Sequence, residues 1–139
     1  MVTPEEKVAI RAKGWAAEHS NAVLVPSLGS LYPAALASAD VMIGNSSSGI
    51  YEAPSFALPV VNVGERQKGR IRTAGVIDVP GETDAVREAV RMALNPDFRR
   101  ELEGSRNPFG DGHASERISH ILATIPLDNL LAKRFVDCR

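Results

Sequence analysis

Four small polar residues between two glycines, Gly44-Asn45-Ser46-Ser47-Ser48-Gly49, are the part of this sequence best suited to holding an anion. They follow the apolar run Val41-Met42-Ile43 and precede a segment of helical character over residues 49–57. A helix start offers backbone N–H groups without intrahelical partners and a partial positive charge. Small side chains let a phosphate reach those donors, and serine hydroxyls add further ones. Asn45, Ser46, Ser47, Ser48 and Gly49 are therefore candidate phosphate or diphosphate contacts. Glu52, one turn further on, would repel a phosphate it faced, but it can accept hydrogen bonds from ribose hydroxyls slightly further away. The same serines also read as an N-cap and turn with no ligand. The strand–turn–helix context is what favours the anion.

A second segment, Gly64-Glu65-Arg66-Gln67-Lys68-Gly69-Arg70, follows another apolar run, Val60-Val61-Asn62-Val63. Three cations, two between the glycines and Arg70 directly after the second, suit a loop that closes on phosphate, with arginine binding in a bidentate manner. A solvated surface loop is the plainer reading of the same residues. Both segments follow strands, and ligands of open parallel sheets bind beyond the carboxyl ends of strands. The two loops therefore flank one site. His19 falls at a helix end, where the dipole favours a cation; His113 and His120 read as structural or surface residues. No metal-ligand spacing, Ser-His-Asp set or Gly-x-Gly-x-x-Gly motif is present, so neither metal nor cofactor is expected.

The elements that must position these loops alternate. Thr3 as N-cap and Pro4 at the first helical position begin a helix to about residue 18, with Trp15 in the core. Strands are expected at residues 22–25, 40–44, 59–63 and 75–79. Helices are expected at 31–39 with Ser30 as cap, at 49–57 with Pro54 near its start or kinking it, and at 83–94 with Thr83 or Asp84 as cap. Further helices are expected at 97–103, 114–124 and 127–135. This predicts an α/β fold: a Rossmann-like open parallel sheet of about four strands, helices on both faces and extra carboxy-terminal helices.

The chain has 139 residues, enough for one compact domain over residues 1–139. A net charge of −1 gives no electrostatic reason to expect nucleic acid or membrane as a partner. No apolar run approaches the roughly 20 residues that span a bilayer, and the polar, acidic start is unlike a signal peptide. A single cysteine, Cys138, excludes a disulfide framework. A cytoplasmic protein is expected.

Four blocks occur in the order typical of hydrolysing UDP-N-acetylglucosamine 2-epimerases, and the chain resembles the carboxy-terminal half of that family. They are Gly44-Asn45-Ser46-Ser47-Ser48-Gly49 with Glu52-Ala53-Pro54, then Pro59-Val60-Val61-Asn62-Val63-Gly64, then Arg66-Gln67-Lys68-Gly69-Arg70, then Phe109-Gly110-Asp111-Gly112-His113-Ala114. Leu130-Leu131-Ala132-Lys133-Arg134-Phe135 is similar to the end of the epimerase domain of the animal bifunctional epimerase/kinase. The resemblance implies a GT-B architecture, with UDP-GlcNAc bound between two Rossmann-like domains and converted to ManNAc and UDP in sialic acid or related pathways. It implies that Ser46 and Ser47 bind the diphosphate and Glu52 the ribose. It also implies that Arg66 contacts the nucleotide, with Gln67 and Arg70 in the same loop, and that the backbone at Ser27 recognises uracil.

The family's amino-terminal domain, the first strand of its carboxy-terminal domain and its acid/base carboxylates have no counterpart in these residues. The expectation is a UDP-binding part that is inactive alone. Competing expectations are a non-enzymatic nucleotide-binding or interaction module from a split gene, and a non-hydrolysing epimerase. The latter usually carries a Gly-Gly-x-Gln-Glu-Glu type motif at the phosphate turn. A GT-B glycosyltransferase is a further alternative, against which the Arg66–Arg70 block argues. A small sheet with an open edge would favour a homo-oligomer.

Overall fold

The structure, a computed structural model, describes residues 4–128. Thr3, Cys138 and all but the start of the expected helix at 127–135 lie outside the described residues. The chain divides into two compact units, Met1–Ala39 and Asp40–Arg139.

Among the described residues the first unit is helical. It contains α1 (Pro4–Glu18), a 3-10 turn (Gly29–Leu31) and α2 (Tyr32–Ser38). α1 matches the expected helix. Trp15, however, is 56% exposed rather than in a core, and its ring stacks on His19 at 4.0 Å. The His19 ring nitrogen Nδ1 lies 2.7 Å from the Trp15 carbonyl, so the histidine does close the helix end. Ser30 belongs to the 3-10 turn, and α2 begins after Leu31 without a side-chain cap. The expected strand at residues 22–25 is absent: Val23 is 86% exposed and the segment forms no ladder. A strand exists only through pairing, and the described part of this unit holds no other strand.

The second unit contains a parallel sheet in the order β1 (Met42–Gly44), β2 (Val60–Val63), β3 (Val76–Val79). Register pairs Met42 with Val60 and Val60 with Val76, and then Gly44 with Asn62 and Asn62 with Asp78. Three of the four expected strands therefore form, each slightly shorter than expected. The sheet is α/β in character, with helices on both faces.

One face is covered by α4 (Thr83–Ala93). Its Val86, Ala89, Val90 and Ala93 recur at helical spacing and meet Val61, Val63, Ile77 and Val79. Burying a valine there is worth about 1.5–3 kcal/mol. On the opposite face α3 (Ser48–Tyr51) lies over Val60, so close that a β-carbon on Gly49 would stand 2.8 Å from a Val60 methyl. The expected single helix at 49–57 is instead α3 followed by a 3-10 turn, Ala53–Phe56. Pro54 has no N–H to continue the α-helical ladder, which is why the helix changes character there.

Two further helices follow among the described residues. α5 (Pro96–Leu102) is capped by Asn95, whose side chain accepts from the Asp97 N–H at 2.8 Å. α6 (Ala114–Thr124) has the expected bounds. α4 starts without a side-chain cap from Thr83 or Asp84. No helix among the described residues is long and apolar enough to cross a membrane.

A polar cross-strand pair sits at the carboxyl edge of the sheet. The buried Asn62 amide donates to Asp78 at 2.6 Å, and Arg72 Nε donates to the other carboxylate oxygen at 2.9 Å. Desolvation raises the Asp78 pKa, but the hydrogen bonds from Arg72 and Asn62 and the Arg72 charge together hold it below the usual aspartate value. A depressed folded-state pKa gives stability that is present above the unfolded pKa and lost as pH falls through the folded one.

Two outcomes follow. Gly49→Ala should destabilise the fold by about 1–3 kcal/mol through overpacking. In urea unfolding, Gly49→Ala combined with Val60→Ala should cost less than the two single changes added together. Acid titration of stability should show a loss below about pH 4 that is smaller in Asp78→Asn. Identical acid slopes in the two proteins would show that the pair does not contribute.

Candidate functional site

Both candidate loops leave the carboxyl edge of the sheet. β1 ends at Gly44 and runs into residues 45–49; β2 ends at Val63 and runs into residues 64–70. Gly64 N–H donates to Val79 O at 2.8 Å, which extends the ladder and fixes where the second loop departs. Gly64 and Gly69 adopt φ values of 79° and 83°, in the left-handed region that glycine enters without a β-carbon penalty. These two residues let the loop turn back on itself.

It turns onto the first loop. Gln67 Nε2 donates to the Asn45 carbonyl at 2.6 Å, and Arg66 Nη1 donates to the same oxygen at 3.3 Å. The sequence expectation that the two loops flank one place is thus matched by direct hydrogen bonds. Gln67 is only 1% exposed, while the cations around it face solvent. Its other amide atom, Oε1, is buried without a hydrogen-bond partner among the described residues. Such an unmet acceptor costs about 1–3 kcal/mol.

Within the first loop Asn45 and Ser46 are exposed, Ser47 is half-buried, and Ser48 and Gly49 are buried. Ser46 Oγ accepts from the Ser48 N–H at 3.3 Å, and the Ser47 carbonyl accepts from Ile50 and Tyr51. The N–H groups of Ser46 and Ser47 have no hydrogen-bond partner among the described residues. α3 is a single turn, so the donors of this turn matter more than any accumulated helix dipole. Glu52 closes α3, with its N–H on the Ser48 carbonyl and its carboxylate in solvent.

The three cations divide their roles. Lys68 pairs with Glu65 at 3.1 Å on the surface, an interaction worth little. The Arg70 guanidinium lies 5.1 Å from the Tyr51 ring centroid. Arg66 and Arg70 meet no carboxylate among the described residues. Beside the loop, an open depression of about 300 Å³ is lined by Gly64, Glu65, Asp78, Val79 and Pro80. Ser27 lies in the first unit, where its Oγ accepts from the Gly29 N–H at 3.2 Å.

Sequence reasoning did not single out Asn107. Its side-chain amide donates to the Tyr51 carbonyl at 2.7 Å and to Ser55 Oγ at 2.8 Å, while its oxygen accepts from the Phe109 N–H at 3.0 Å. Phe109 then meets Tyr51 edge-on, with ring centroids 4.5 Å apart. The glycine-rich segment 109–114 is thereby tied to α3. Asp111 accepts from the His113 N–H and from Arg117, and both interactions hold its carboxyl below the usual aspartate range. An asparagine two residues before an aromatic in a Pro/Gly loop is an Asx-turn signal, and it was available in the sequence. Asn62 and Asp78, which anchor Arg72 and with it the end of the cationic loop, gave no such local signal.

Comparison with known proteins fits this arrangement. A family model described as UDP-N-acetylglucosamine 2-epimerase matches residues 2–123. A UDP-N,N'-diacetylbacillosamine 2-epimerase (hydrolyzing) of Legionella pneumophila is 50% identical over 99 residues, covering 71% of this chain and 25% of that protein. A GDP/UDP-N,N'-diacetylbacillosamine 2-epimerase (hydrolyzing) of Campylobacter jejuni is 39% identical over 118 residues, covering 84% and 30%. A UDP-N-acetylglucosamine 2-epimerase of Neisseria meningitidis serogroup B is 32% identical over 100 residues, covering 71% and 26%. The chain thus spans between a quarter and a third of the length of these relatives. With a family match over most of its length and a cationic loop bonded to a serine-rich turn, this chain belongs to the UDP-N-acetylglucosamine 2-epimerase family.

Proposed function

We propose that this chain forms the UDP-binding part of a hydrolysing UDP-GlcNAc 2-epimerase. The observation that carries the reading is the pair of hydrogen bonds from Arg66 and Gln67 to the Asn45 carbonyl. They hold a cationic loop against a turn whose Ser46 and Ser47 N–H groups point to no other partner among the described residues. A diphosphate there receives those N–H donors, the serine hydroxyls and the Arg66 guanidinium. The exposed Glu52 carboxylate accepts from the ribose hydroxyls. Arg70, in the same loop and without a carboxylate partner among the described residues, adds a second cation.

In the reaction proposed, a base removes the C2 proton of the sugar. The C1–O bond to UDP breaks, and its electrons leave with the diphosphate as the C1–C2 double bond of a glycal forms. Water then adds a hydroxyl at C1 and a proton at C2 on the opposite face, giving ManNAc. The residues of this chain act on the leaving group, because donors fixed around a developing diphosphate charge lower the cost of departure. The proton-transfer groups belong to a facing domain, in keeping with a GT-B arrangement. A second reading concerns the sugar alone. The 50% identity to a protein named for UDP-N,N'-diacetylbacillosamine supports that nucleotide sugar as the alternative to UDP-GlcNAc.

Titration calorimetry tests both readings. The folded chain should bind UDP, and Ser46→Ala/Ser47→Ala should weaken binding at least tenfold, with a smaller effect on UMP. Arg66→Ala should weaken UDP and flatten the salt dependence of its affinity. No heat from UDP with the folded wild type would overturn the proposal. Tighter binding of UDP-N,N'-diacetylbacillosamine than of UDP-GlcNAc would select the second sugar. Mixed with UDP-GlcNAc, the chain alone should release no ManNAc.

A further inference from the structure

We propose that Gln67 is a positioning residue: a buried latch that holds the cationic loop on the phosphate turn and sets the turn's affinity through the Asn45 carbonyl rather than by touching ligand. The inference rests on the UDP-binding reading above. Its basis is a mismatch between burial and satisfaction. Gln67 is 1% exposed, flanked in sequence by the exposed Arg66 and Lys68. One atom of its amide makes a 2.6 Å bond to Asn45, twenty-two residues away in sequence. The other atom, Oε1, is buried with no partner among the described residues.

A residue kept only for stability would not bury an amide half-satisfied. An apolar side chain of the same length fills the same space and leaves no orphan oxygen. What such a side chain cannot do is donate to the Asn45 carbonyl. That carbonyl immediately precedes Ser46, so the donor that grips it fixes the peptide plane from which the Ser46 N–H projects. Arg66 reaches the same oxygen at 3.3 Å, a longer contact from an exposed side chain. Gln67 therefore does most of the holding, and the Arg66 guanidinium keeps its other N–H groups for an anion. The loop's far end is fixed separately, by Arg72 donating to the Arg70 carbonyl and to Asp78. A loop pinned at Gly64, Gln67 and Arg72 presents Arg66 and Arg70 on a rigid frame.

The test uses Gln67→Met, which keeps the volume and removes both the donor and the orphan oxygen, and the isosteric Gln67→Glu. Three readouts are taken on each: thermal midpoint, UDP affinity by calorimetry, and the rate of tryptic cleavage after Arg66, Lys68 and Arg70. Gln67→Met should leave the thermal midpoint unchanged or raised. It should speed cleavage in the loop several-fold and weaken UDP at least tenfold. Gln67→Glu should weaken UDP near neutral pH and recover toward wild type as pH falls and the carboxyl regains a proton to donate, read as a ratio to wild type at each pH. Unchanged loop cleavage in Gln67→Met would overturn the latch. Faster cleavage with unchanged UDP affinity, or a lowered midpoint that accounts for the lost affinity, would overturn the positioning role. If the wild type binds no UDP, the parent reading fails, and the latch stands or falls on the cleavage rates alone.

Discussion

The arrangement of the second unit depends on how closely α3 approaches β2. Gly49 lies so near Val60 that even a methyl group would have to displace it. Val60 cannot yield cheaply, because it sits in the central strand with 3% of its surface exposed. The missing side chain therefore sets the height of α3 above the sheet. That height sets where residues 45–47 emerge, since the turn must bridge the end of β1 and the start of α3 in three residues. Glycine at this position is thus a packing requirement first, and its effect on any ligand comes through packing.

The second constraint is the use of a main-chain carbonyl as the meeting point of two loops. Asn45 offers an acceptor that no substitution at its own position removes, and both Gln67 and Arg66 converge on it. A third loop reaches the same helix, with Asn107 on the Tyr51 carbonyl and Phe109 against the Tyr51 ring. Arg70 rests on that ring as well. Three loops that share no sequence neighbourhood are therefore referenced to one helical turn. Because α3 is only four residues long, it could not hold its position by hydrogen bonds along its own axis. It is held by what packs against it.

Much of this was legible in the sequence, for reasons that can be named. The turn at 45–49 and the loop at 64–70 stood out because small or charged residues replace an apolar run abruptly. The strands at 42–44, 60–63 and 76–79 were recoverable because each is short, largely apolar and either ends in glycine or is followed by glycine or proline. Residues 22–25 carry the same signature and form no strand, since pairing is a property of neighbours that no local pattern records. Gln67 was placed in the right loop, but its burial was invisible: its sequence neighbours are exposed charges, and its hydrogen bond reaches a residue far away in sequence. Asn62 and Asp78 were hidden for a related reason, because cross-strand register, not sequence proximity, makes them a pair.

The charge distribution at the sheet edge supports the proposed anion site in a chain whose net charge is −1. Between Glu65 and Asp78 the edge holds four cations and two carboxylates. Lys68 is engaged by Glu65, and Arg72 by Asp78. The second of these pairs has a structural task, joining the end of the loop to β3. Arg66 and Arg70 are left without carboxylate partners among the described residues. Two uncompensated guanidinium groups match the roughly two negative charges of a diphosphate bearing substituents at both ends. A larger surplus would raise affinity for any polyanion, at the expense of discrimination. In the proposed site, selectivity for a compact anion would come from where the unpaired arginines sit rather than from how many basic residues the chain contains.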